Sequence, residues 1–436
     1  MEADSISLLS PIGYQSSDCG YCKSKDESSA CYYATCRLLS VDTYQTLVDR
    51  GWRRSGSLVY KPDVFRACCP HYTIRLPVAS LVTTRDQRQA LNRWNKYVLG
   101  ESYIQEVSQR FPKTKEEKAR QKHAFDFLHV VHEAEKQSLK PVEPVHRFEV
   151  SLDEDTFTEE KFLLYKDYQI NVHHDKPSEI SQSGFKRFLC SSPLNRCTRK
   201  KNGKDVKLGS YHQCYRLDGR LIAIGVLDLL PHAVSGVYFI YHQDFEKWSF
   251  GKLSAMREAA LALEGGYEFY YMGYYIHSCV KMKYKGEYKP QYVLDPESYE
   301  WNLLDDRLRG LLDKQKYVSL SVEEGKKSTR TSSEDLGEVT GYQLPSPKEA
   351  ADAGLSLLSL GMPGIPDATT LEKEIILGEM KVAIGSGRSM IVQFEDLQTW
   401  DDGDVLDGTS LKGIVAEFAA CIGPEAAKGV IVDFTR

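Results

Sequence analysis

Two pairs of cysteines near the start of the chain restrict its fold more than any other feature. Cys19 and Cys22 form the first pair, and Cys68 and Cys69 are adjacent in the second. Thiols in two clusters fewer than fifty residues apart are typical of a structural metal or iron–sulfur centre that joins distant loops. His71 follows the second pair and is a further candidate ligand. We therefore expect a small Cys-rich metal-binding domain in this part of the chain.

The metal and its ligand set stay open from the sequence. A zinc ion and a [4Fe-4S] cluster both accept four thiolates, and a zinc ion could instead take Cys19, Cys22, one cysteine of the second pair and His71. A redox pair and unliganded thiols are the competing interpretations. No signal peptide is recognisable in the first fifteen residues. This predicts a reducing, cytoplasmic location, with the nucleus as a further compartment.

Composition limits the classes of partner. The 436 residues predict two or three domains, and a hydrophobic share of 42% is ample for sizeable cores. No apolar stretch approaches the roughly 20 residues of a membrane-spanning helix, so we expect no membrane partner. A net charge of −5 argues against a generally basic surface for nucleic acid. Any such contact should come from local basic patches.

The central region has the pattern of an α+β core. A strand, a hairpin with Asp218 and Gly219 at its turn, and a third strand precede an amphipathic helix and a returning strand. This is the element order of a GNAT-like (acetyltransferase-like) mixed sheet. Acyl-CoA enzymes of that fold bind pyrophosphate on a glycine-rich loop at the helix N-terminus, where this chain has only Gly251 beside Lys252. We therefore expect a GNAT-like core without CoA.

These patterns divide the chain into five parts. The predicted parts are a Cys-rich metal or Fe–S domain over 1–85, a helical connector over 86–145, a GNAT-like transferase core over 146–320, a flexible loop over 321–347 and a C-terminal appendage over 348–436. The loop is polar and poor in aromatic residues, which is typical of segments that do not fold alone.

Six motifs, in this order, resemble one protein family. They are CGYC, DRGWRRSG, CCPHYTIRL, LYKDYQINVH, IGVLDLLP and YYIHSCVKMKYKGEYKPQYVLDPE, and a later segment, SLLSLGMPG, is similar to fungal members. The family is that of the arginyl-tRNA–protein transferases of the N-degron pathway. The resemblance implies a GNAT-like core that transfers arginine from Arg-tRNA to the α-amino group of proteins beginning with Asp, Glu or oxidised Cys. Arginine at that position would mark them for ubiquitin-dependent degradation.

The chemistry that this resemblance implies needs few catalytic groups. Arginine on tRNA is already an activated ester, so the protein must position an amine, accept its proton and stabilise the oxyanion. Asp228, at the end of the apolar strand LIAIGVLDLLP, is the candidate proton acceptor, because apolar surroundings raise the pKa of a carboxyl group. Tyr241 and His242 on the next strand are candidate assistants. The structural alternative for Asp228 is a residue that caps a local turn.

An acidic acceptor needs cationic partners, and arginine suits a carboxylate because its guanidinium can bind both oxygens. Arg75 lies four residues after His71, and Arg53 and Arg54 lie in GWRRSG. The tyrosine-rich segment 267–293 supplies further candidates for binding the acceptor or the tRNA end, and its alternate lysines predict one face of an extended strand. These candidates are His277, Lys281, Lys283, Lys285 and, through stacking on a base, Tyr275.

A stretch rich in lysine and arginine, 195–209, predicts a phosphate contact for tRNA, and a solvated loop is the alternative. The candidate tRNA-binding residues are Arg196, Arg199, Lys200, Lys201, Lys204 and Lys252. We expect a monomer that binds Arg-tRNA and acidic N-termini. The alternatives are a non-catalytic N-degron-binding adaptor and an acyl-CoA-dependent GNAT enzyme.

Overall fold

The chain divides into two units. A computed structural model describes residues 6–116, 125–135, 142–201, 203–325, 345–385, 390–400 and 402–435. Unit 1 comprises Met1–Arg75, Pro193–Cys197 and Gly273–Arg436, and unit 2 comprises Leu76–Ser192 and Thr198–Met272. Within the described residues, no helix has the length and apolar character needed to cross a membrane.

Fourteen helices are described, and they are numbered here in chain order. They are α1 (Val41–Val48), α2 (Arg85–Leu99), α3 (Glu101–Arg110), α4 (Phe127–Val131), α5 (Glu159–Tyr168), α6 (Gln182–Leu189), α7 (Phe250–Glu264), α8 (Val280–Lys283), α9 (Asp306–Leu312), α10 (Leu320–Glu323), α11 (Pro347–Asp352), α12 (Leu357–Leu360), α13 (Ala368–Glu374) and α14 (Leu411–Ala427). In its described residues, the predicted helical connector contains three separate helices, α2 to α4. Most of the predicted flexible loop lies outside the described residues.

Unit 1 contains a seven-stranded sheet built from both its N-terminal and its C-terminal segments. The strands, in spatial order, are β16 (Met390–Gln393), β15 (Lys381–Ile384), β17 (Val430–Asp433), β1 (Ser7–Ser17), β2 (Ser29–Leu38), β4 (Leu58–Pro62) and β3 (Arg53–Ser55). β17 runs parallel to β1 and β15, and the other neighbours are antiparallel. Tyr32, Trp52 and Val59 are buried in this unit.

This sheet includes the strands of the first part of the chain, for which the sequence predicts a small Cys-rich domain. Its strands bury large side chains, and β17 and β15 extend the same sheet from beyond residue 380. Sequence-distant strands cannot be recognised as neighbours from local composition. The five-part domain division stays a prediction.

A second group of strands in unit 1 begins with β5 (Tyr72–Pro77), whose last two residues belong to unit 2. The unit 1 part of β5 pairs with β12 (Tyr274–Tyr275) and β13 (Tyr292–Leu294), and β13 pairs with β14 (Trp301–Leu303). All these pairings are antiparallel. The two pairings of β5 join residues more than 200 positions apart along the chain.

Unit 2 is organised around a mixed sheet. Its strands, in spatial order, are β11 (Phe269–Tyr271), β10 (Ala233–Tyr241), β9 (Arg220–Leu230), β8 (Lys204–Leu217) and β6 (Phe148–Glu154), and β7 (Cys197–Lys201) pairs with β8. Helix α7 connects β10 to β11, and these two strands are parallel, whereas the other central pairs are antiparallel. The unit is thus a mixed α/β structure.

The hairpin predicted for unit 2 is confirmed, and two helix ends in this unit follow the same local backbone rules. Asp218 and Gly219 have φ angles of +52° and +82° at the turn between β8 and β9, as a tight Asp-Gly hairpin requires. Thr158 accepts a hydrogen bond from the Lys161 amide and begins α5, because its hydroxyl satisfies an amide that the first turn leaves free. Gly100, at φ +82°, follows the last residue of α2.

Candidate functional site

Four cysteines meet because three strands of unit 1 place their loops at one end of the sheet. Ser17 of β1 lies opposite Ser29 of β2, so the loop carrying Cys19 and Cys22 leaves the sheet at that end. Cys31, two residues further along β2, lies opposite Pro62 at the end of β4. The chain after β4, which carries Cys68 and Cys69, therefore leaves at the same end. We call these four residues the cysteine cluster.

The geometry of the cysteine cluster suits a metal ion. The four Sγ atoms lie within 4.8 Å of one another, and Cys22 Sγ is 3.4 Å from Cys68 Sγ. Zn–S bonds of about 2.3 Å in a tetrahedron place ligand sulfurs about 3.8 Å apart, so modest closure would fit one ion. With four protein ligands the site would be closed, which is typical of structural rather than catalytic zinc. In the described parts of the chain this is the one group of its kind.

Burial differs among the four thiols. Cys19 and Cys69 are buried, Cys68 is half-buried and Cys22 is exposed. The Ser24 amide and the Cys68 thiol lower the pKa of Cys22 to about 7, whereas burial raises the pKa of Cys68 and Cys69. A thiol that ionises near neutrality readily becomes a metal ligand.

A small apolar group packs against the cysteine cluster. Ile276, Cys279 and Met282, all from the tyrosine-rich segment, contact Cys19 and Cys69. Cys279 is half-buried here. Metal binding would thus fix not only the two cysteine loops but also the start of α8.

His71, the alternative ligand, does not belong to the cysteine cluster. Its buried ring lies edge-on to Tyr21 at 4.9 Å and to Tyr274 at 5.4 Å between ring centroids. Burial lowers the pKa of His71 to about 4, so the imidazole is neutral at physiological pH. The structure therefore does not group His71 with the four thiols, because nearness in sequence to Cys69 did not bring the two side chains to one point.

The three predicted arginines are held by neighbours in unit 1. Arg53 and Arg54 are both 5% exposed, and they donate hydrogen bonds to the carbonyls of Trp52 and Gly56. The Arg75 guanidinium lies 4.0 Å from the ring centroid of Trp301. Stacking on β14, rather than a metal centre, fixes the position of Arg75.

The lysine-rich part of the tyrosine-rich segment is not an extended strand. Lys281 and Lys283 lie in helix α8, and Lys285 lies in the 3-10 turn Tyr284–Glu287. The three ammonium groups therefore do not share one strand face, and that prediction is wrong. Lys285 donates to the carbonyl of Tyr274, and Lys281 is exposed.

Tyr275 and His277 form a buried hydrogen-bonded pair instead of a stacking platform. The Tyr275 side chain is 0% exposed, and its hydroxyl lies 2.6 Å from His277 Nδ1. His277 Nε2 lies 2.7 Å from an Asp313 oxygen, which lowers the pKa of that carboxyl. The buried ring presents no open face for a base in this structure, and the stacking role of Tyr275 stays a prediction.

The predicted catalytic residues are not brought together. Asp228 lies opposite Ser235 in the pairing of β9 with β10, whereas Tyr241 lies opposite Ala223. Five residues along a strand correspond to roughly 17 Å. His242 accepts from the Asp244 amide and lies 3.5 Å from Asp167, so it caps a 3-10 turn.

Asp228 is enclosed rather than presented at a strand end. Its side chain is 0% exposed, and one carboxylate oxygen accepts a hydrogen bond of 2.6 Å from Ser210. Ser210 lies 2.6 Å from the hydroxyl of Ser192. The turn-capping alternative is also wrong, because Asp228 pairs with β8 on one side and β10 on the other.

The predicted tRNA-binding residues lie mainly on a hairpin, which corrects the expectation of a loop. β7 and the start of β8 carry Arg199, Lys200 and Lys204 as exposed side chains, and Lys201 pairs with Glu268 at 3.1 Å. Arg196, which is exposed, precedes β7. The other candidate, Lys252, forms an ion pair with Asp86.

The sequence analysis missed a group of polar residues around a recess in unit 1, among them Arg50, Lys61 and Thr73. Lys61 and Val59 are two positions apart on β4, a spacing that places both on one face, and Val59 is fully buried. A lysine on the same strand face as a buried valine was the sequence signal that could have predicted this buried cation.

Comparisons with known proteins agree with these elements. A family model described as "Arginine-tRNA-protein transferase, N terminus" matches residues 17–89, and one described as "Arginine-tRNA-protein transferase, C terminus" matches 160–295. Arginyl-tRNA–protein transferase 1 of Drosophila melanogaster is 30% identical over 430 residues, covering 73% of this chain and 86% of the relative.

Two further relatives extend the comparison. Arginyl-tRNA–protein transferase 1 of Saccharomyces cerevisiae is 36% identical over 273 residues, covering 59% of this chain and 50% of that protein. An aspartate/glutamate leucyltransferase of Pseudomonas fluorescens is 27% identical over 279 residues, covering 63% of this chain and 89% of the relative. With most of the fly relative's length matched, and the cysteine cluster within the N-terminal match, the chain belongs to the arginyl-tRNA–protein transferase family.

Proposed function

We propose that this protein transfers arginine from Arg-tRNA to the α-amino group of other proteins. One observation carries the proposal: the 30% identity to the fly relative extends over 86% of that relative's length. Similarity on that scale includes the N-terminal cysteine region as well as the mixed sheet of unit 2. The cytoplasm is the proposed location, and the eleven free thiols support a reducing compartment.

The proposed acceptors are proteins with Asp, Glu or oxidised Cys at the N-terminus, and arginylation would mark them for degradation. The name of the Pseudomonas relative, an aspartate/glutamate leucyltransferase, supports acidic acceptors for a protein of similar sequence. Buried cations in unit 1 are consistent with an acidic ligand, since a carboxylate compensates a buried positive charge.

The reaction needs positioning more than reactive side chains. The aminoacyl ester is activated, so an amine held against it at the correct angle gains most of the available acceleration. Loss of one proton from the ammonium form must precede or accompany attack, and the tRNA 3′-end hydroxyl leaves as the amide forms. Asp228 stays a candidate proton acceptor, but its burial favours a structural role, since a proton acceptor must reach the reacting amine.

The proposed role of the cysteine cluster is structural. We favour one tetrahedral zinc ion over a [4Fe-4S] cluster, because four sulfurs within 4.8 Å suit ligation of a single ion. Such an ion would hold the loops after β1 and β4 together. Metal analysis of anaerobically purified protein tests this: about one zinc per chain without absorbance near 400 nm is expected, and an iron-dependent band there would contradict it.

The proposed fold of unit 2 is GNAT-like. The order of β6, β8, β9, β10, α7 and β11, with parallel β10 and β11, supports this assignment. An experimental structure of the chain would test it, and a bound CoA in that structure would instead favour an acyl-CoA enzyme.

A transfer assay tests the proposed function. The protein is incubated with radiolabelled Arg-tRNA and a peptide that begins with Asp, and the same peptide beginning with Ala is the matched control. Leu-tRNA serves as the control donor because one relative is a leucyltransferase. We expect label from Arg-tRNA on the Asp peptide alone. Absence of that label would refute the proposal, and binding of the Asp peptide without transfer would favour the adaptor alternative.

A further inference from the structure

A recess in unit 1 brings two cations together. Arg50 follows α1, Lys61 lies on β4, and both line the recess with Tyr299, which lies between β13 and β14. Lys61 is only 5% exposed. Its Nζ donates to the Arg50 carbonyl at 2.5 Å and lies 4.7 Å from the centroid of the Tyr299 ring, over which the Arg50 guanidinium also lies, at 4.2 Å.

Neither cation has a carboxylate partner in the described parts of the chain. The two acidic residues that most closely precede Tyr299 are engaged elsewhere: Asp295 accepts from Ser319 and Ser321, and Glu297 accepts from the Gly364 amide. Glu300, which follows Tyr299, is exposed. The buried ammonium of Lys61 contacts one carbonyl oxygen and one aromatic ring. Buried charges are normally compensated by an opposite charge, which the described residues do not provide here. We therefore expect an anion to enter the recess.

Uncharged polar atoms in the recess support the same expectation. Thr73 Oγ1 and His71 Nδ1 are buried and have no hydrogen-bond partner among the described residues, although both residues line the recess. Thr73 is 3% exposed. Buried polar atoms are almost always hydrogen-bonded, so two of them around one cavity indicate a missing ligand.

Gly51 keeps the space between these groups open. It has a φ of +86°, and a Cβ at this position would lie 3.8 Å from Lys61 Nζ and 4.0 Å from Thr73 Oγ1. A side chain there would occupy the volume that a ligand needs to reach both atoms. Glycine also adopts this left-handed backbone conformation without strain.

We propose that this cationic recess, formed by Arg50, Gly51, Lys61, His71 and Thr73, binds the side-chain carboxylate of the acceptor's first residue. Lys61 and Arg50 supply the charge, the Thr73 hydroxyl donates a hydrogen bond, and Gly51 provides the room. The assignment of the carboxylate to an N-terminal Asp or Glu rests on the proposed function. The recess then determines acceptor specificity, separately from the groups that move the proton.

A binding experiment tests this proposal. Two fluorescent ten-residue peptides, identical except for Asp or Asn at the N-terminus, are titrated with the full chain and with its Lys61→Met variant, which keeps the aliphatic stem but not the charge. We expect the unchanged protein to prefer the Asp peptide, and Lys61→Met to weaken binding of that peptide about 10- to 100-fold while changing Asn binding little.

Lys161→Met is the matched control, because Lys161 is 4% exposed and its ammonium donates to the carbonyls of Glu154 and Thr156, in unit 2. This variant should retain the Asp preference. Three results would overturn the proposal. The Lys61→Met variant could still prefer the Asp peptide, the Lys161→Met variant could lose that preference to the same extent, or the unchanged protein could show no preference. If Lys61→Met does not fold, Thr73→Val should weaken Asp binding about 3- to 10-fold, and unchanged affinity would overturn it.

The two proposals can fail separately. The protein could prefer the Asp peptide through Lys61 and yet transfer no arginine in the radiolabel assay. This result would refute the proposed function and leave the recess as the carboxylate site. Arginine transfer to Asp peptides whose preference does not depend on Lys61 would refute the recess and leave the transferase.

Discussion

In unit 1, Thr73 Oγ1 and His71 Nδ1 are buried without hydrogen-bond partners among the described residues, whereas in unit 2 the buried carboxylates of Asp228 and Glu258 accept hydrogen bonds from neighbouring hydroxyls. Ser210 donates to Asp228, and Tyr270 donates to Glu258. Under our proposals, unit 1 takes groups from outside the chain, a metal and a carboxylate, to complete its polar interior. In unit 2, neighbouring side chains supply the hydrogen bonds to these two carboxylates.

One lone polar atom does not make a site. Trp94 Nε1 and Ser235 Oγ in unit 2 are also buried without a hydrogen-bond partner among the described residues. In unit 1, by contrast, two such atoms face a recess together with Lys61 and Arg50. A binding site is indicated where charged groups, polar atoms without hydrogen-bond partners and open volume occur together. A single polar atom without a partner indicates only a local defect in packing.

The largest effect should come from breaking the cysteine cluster. Cys19→Ala removes a buried ligand, and structural zinc sites contribute about 10–16 kcal/mol of apparent binding energy in small domains, so unit 1 should lose more than about 5 kcal/mol of unfolding free energy. Hydrogen exchange read by mass spectrometry should show lost protection in β1, β2 and β4 and retained protection in β8 to β10.

Cys421→Ala is the control for this prediction, because it truncates a fully buried thiol of α14 in the same unit without touching the cluster. It should cost only about 1–2 kcal/mol. If Cys19→Ala lowers hydrogen-exchange protection equally in both units, the two units do not differ in how their stability depends on the cysteine cluster.

Asp228→Ala should have the next largest effect, confined to unit 2. Removing the carboxylate leaves the Ser210 hydroxyl without its acceptor, so we expect a loss of about 3 kcal/mol in chemical denaturation. Asp228→Asn keeps an acceptor oxygen and should retain both most of the stability and the transfer rate to within a few-fold. If Asp228→Asn instead stops arginine transfer while the unfolding free energy is unchanged, Asp228 is the proton acceptor. Its buried carboxylate would then serve the reaction rather than the stability of unit 2.

Ser210→Ala should cost less, about 1–2 kcal/mol, because Asp228 then loses one of its donors while the charge stays enclosed. Thermal unfolding measures this cost, and Ser191→Ala, an exposed neighbour of the hydrogen-bonded Ser192, is the control with no expected change. A neutral Ser210→Ala would mean that the serine hydroxyls contribute nothing to enclosing Asp228.

Sequence patterns predicted what depends on short-range geometry. The Asp218–Gly219 hairpin follows from local backbone preferences and is confirmed. The meeting of Cys19 with Cys68 was also predicted, because the chemistry of thiols requires clustered ligands whatever the intervening fold.

Long-range register decided the rest. Thr73 and Tyr274 face each other only because β5 pairs with β12, about 200 residues later, and this pairing also buries Tyr275. A sequence pattern assigns side chains to alternate faces of a strand but does not say which face is covered. The cationic recess was missed for this reason, and the lysines of α8 were assigned to a strand for want of the same information.

The smallest and most discriminating effect should come from Thr73→Val, which removes one hydroxyl at almost constant volume. The hydroxyl has no partner among the described residues, so burying it costs free energy that a methyl group would not, and the ligand-free protein should become slightly more stable, by up to about 1 kcal/mol. Ser210→Ala removes a hydroxyl that has partners and should act in the opposite direction. Chemical denaturation of both variants, without peptide, compares the two signs directly. A destabilising Thr73→Val of the same size as Ser210→Ala would show that Thr73 is satisfied in solution, and the contrast between the two units would then be lost at the position where it is sharpest.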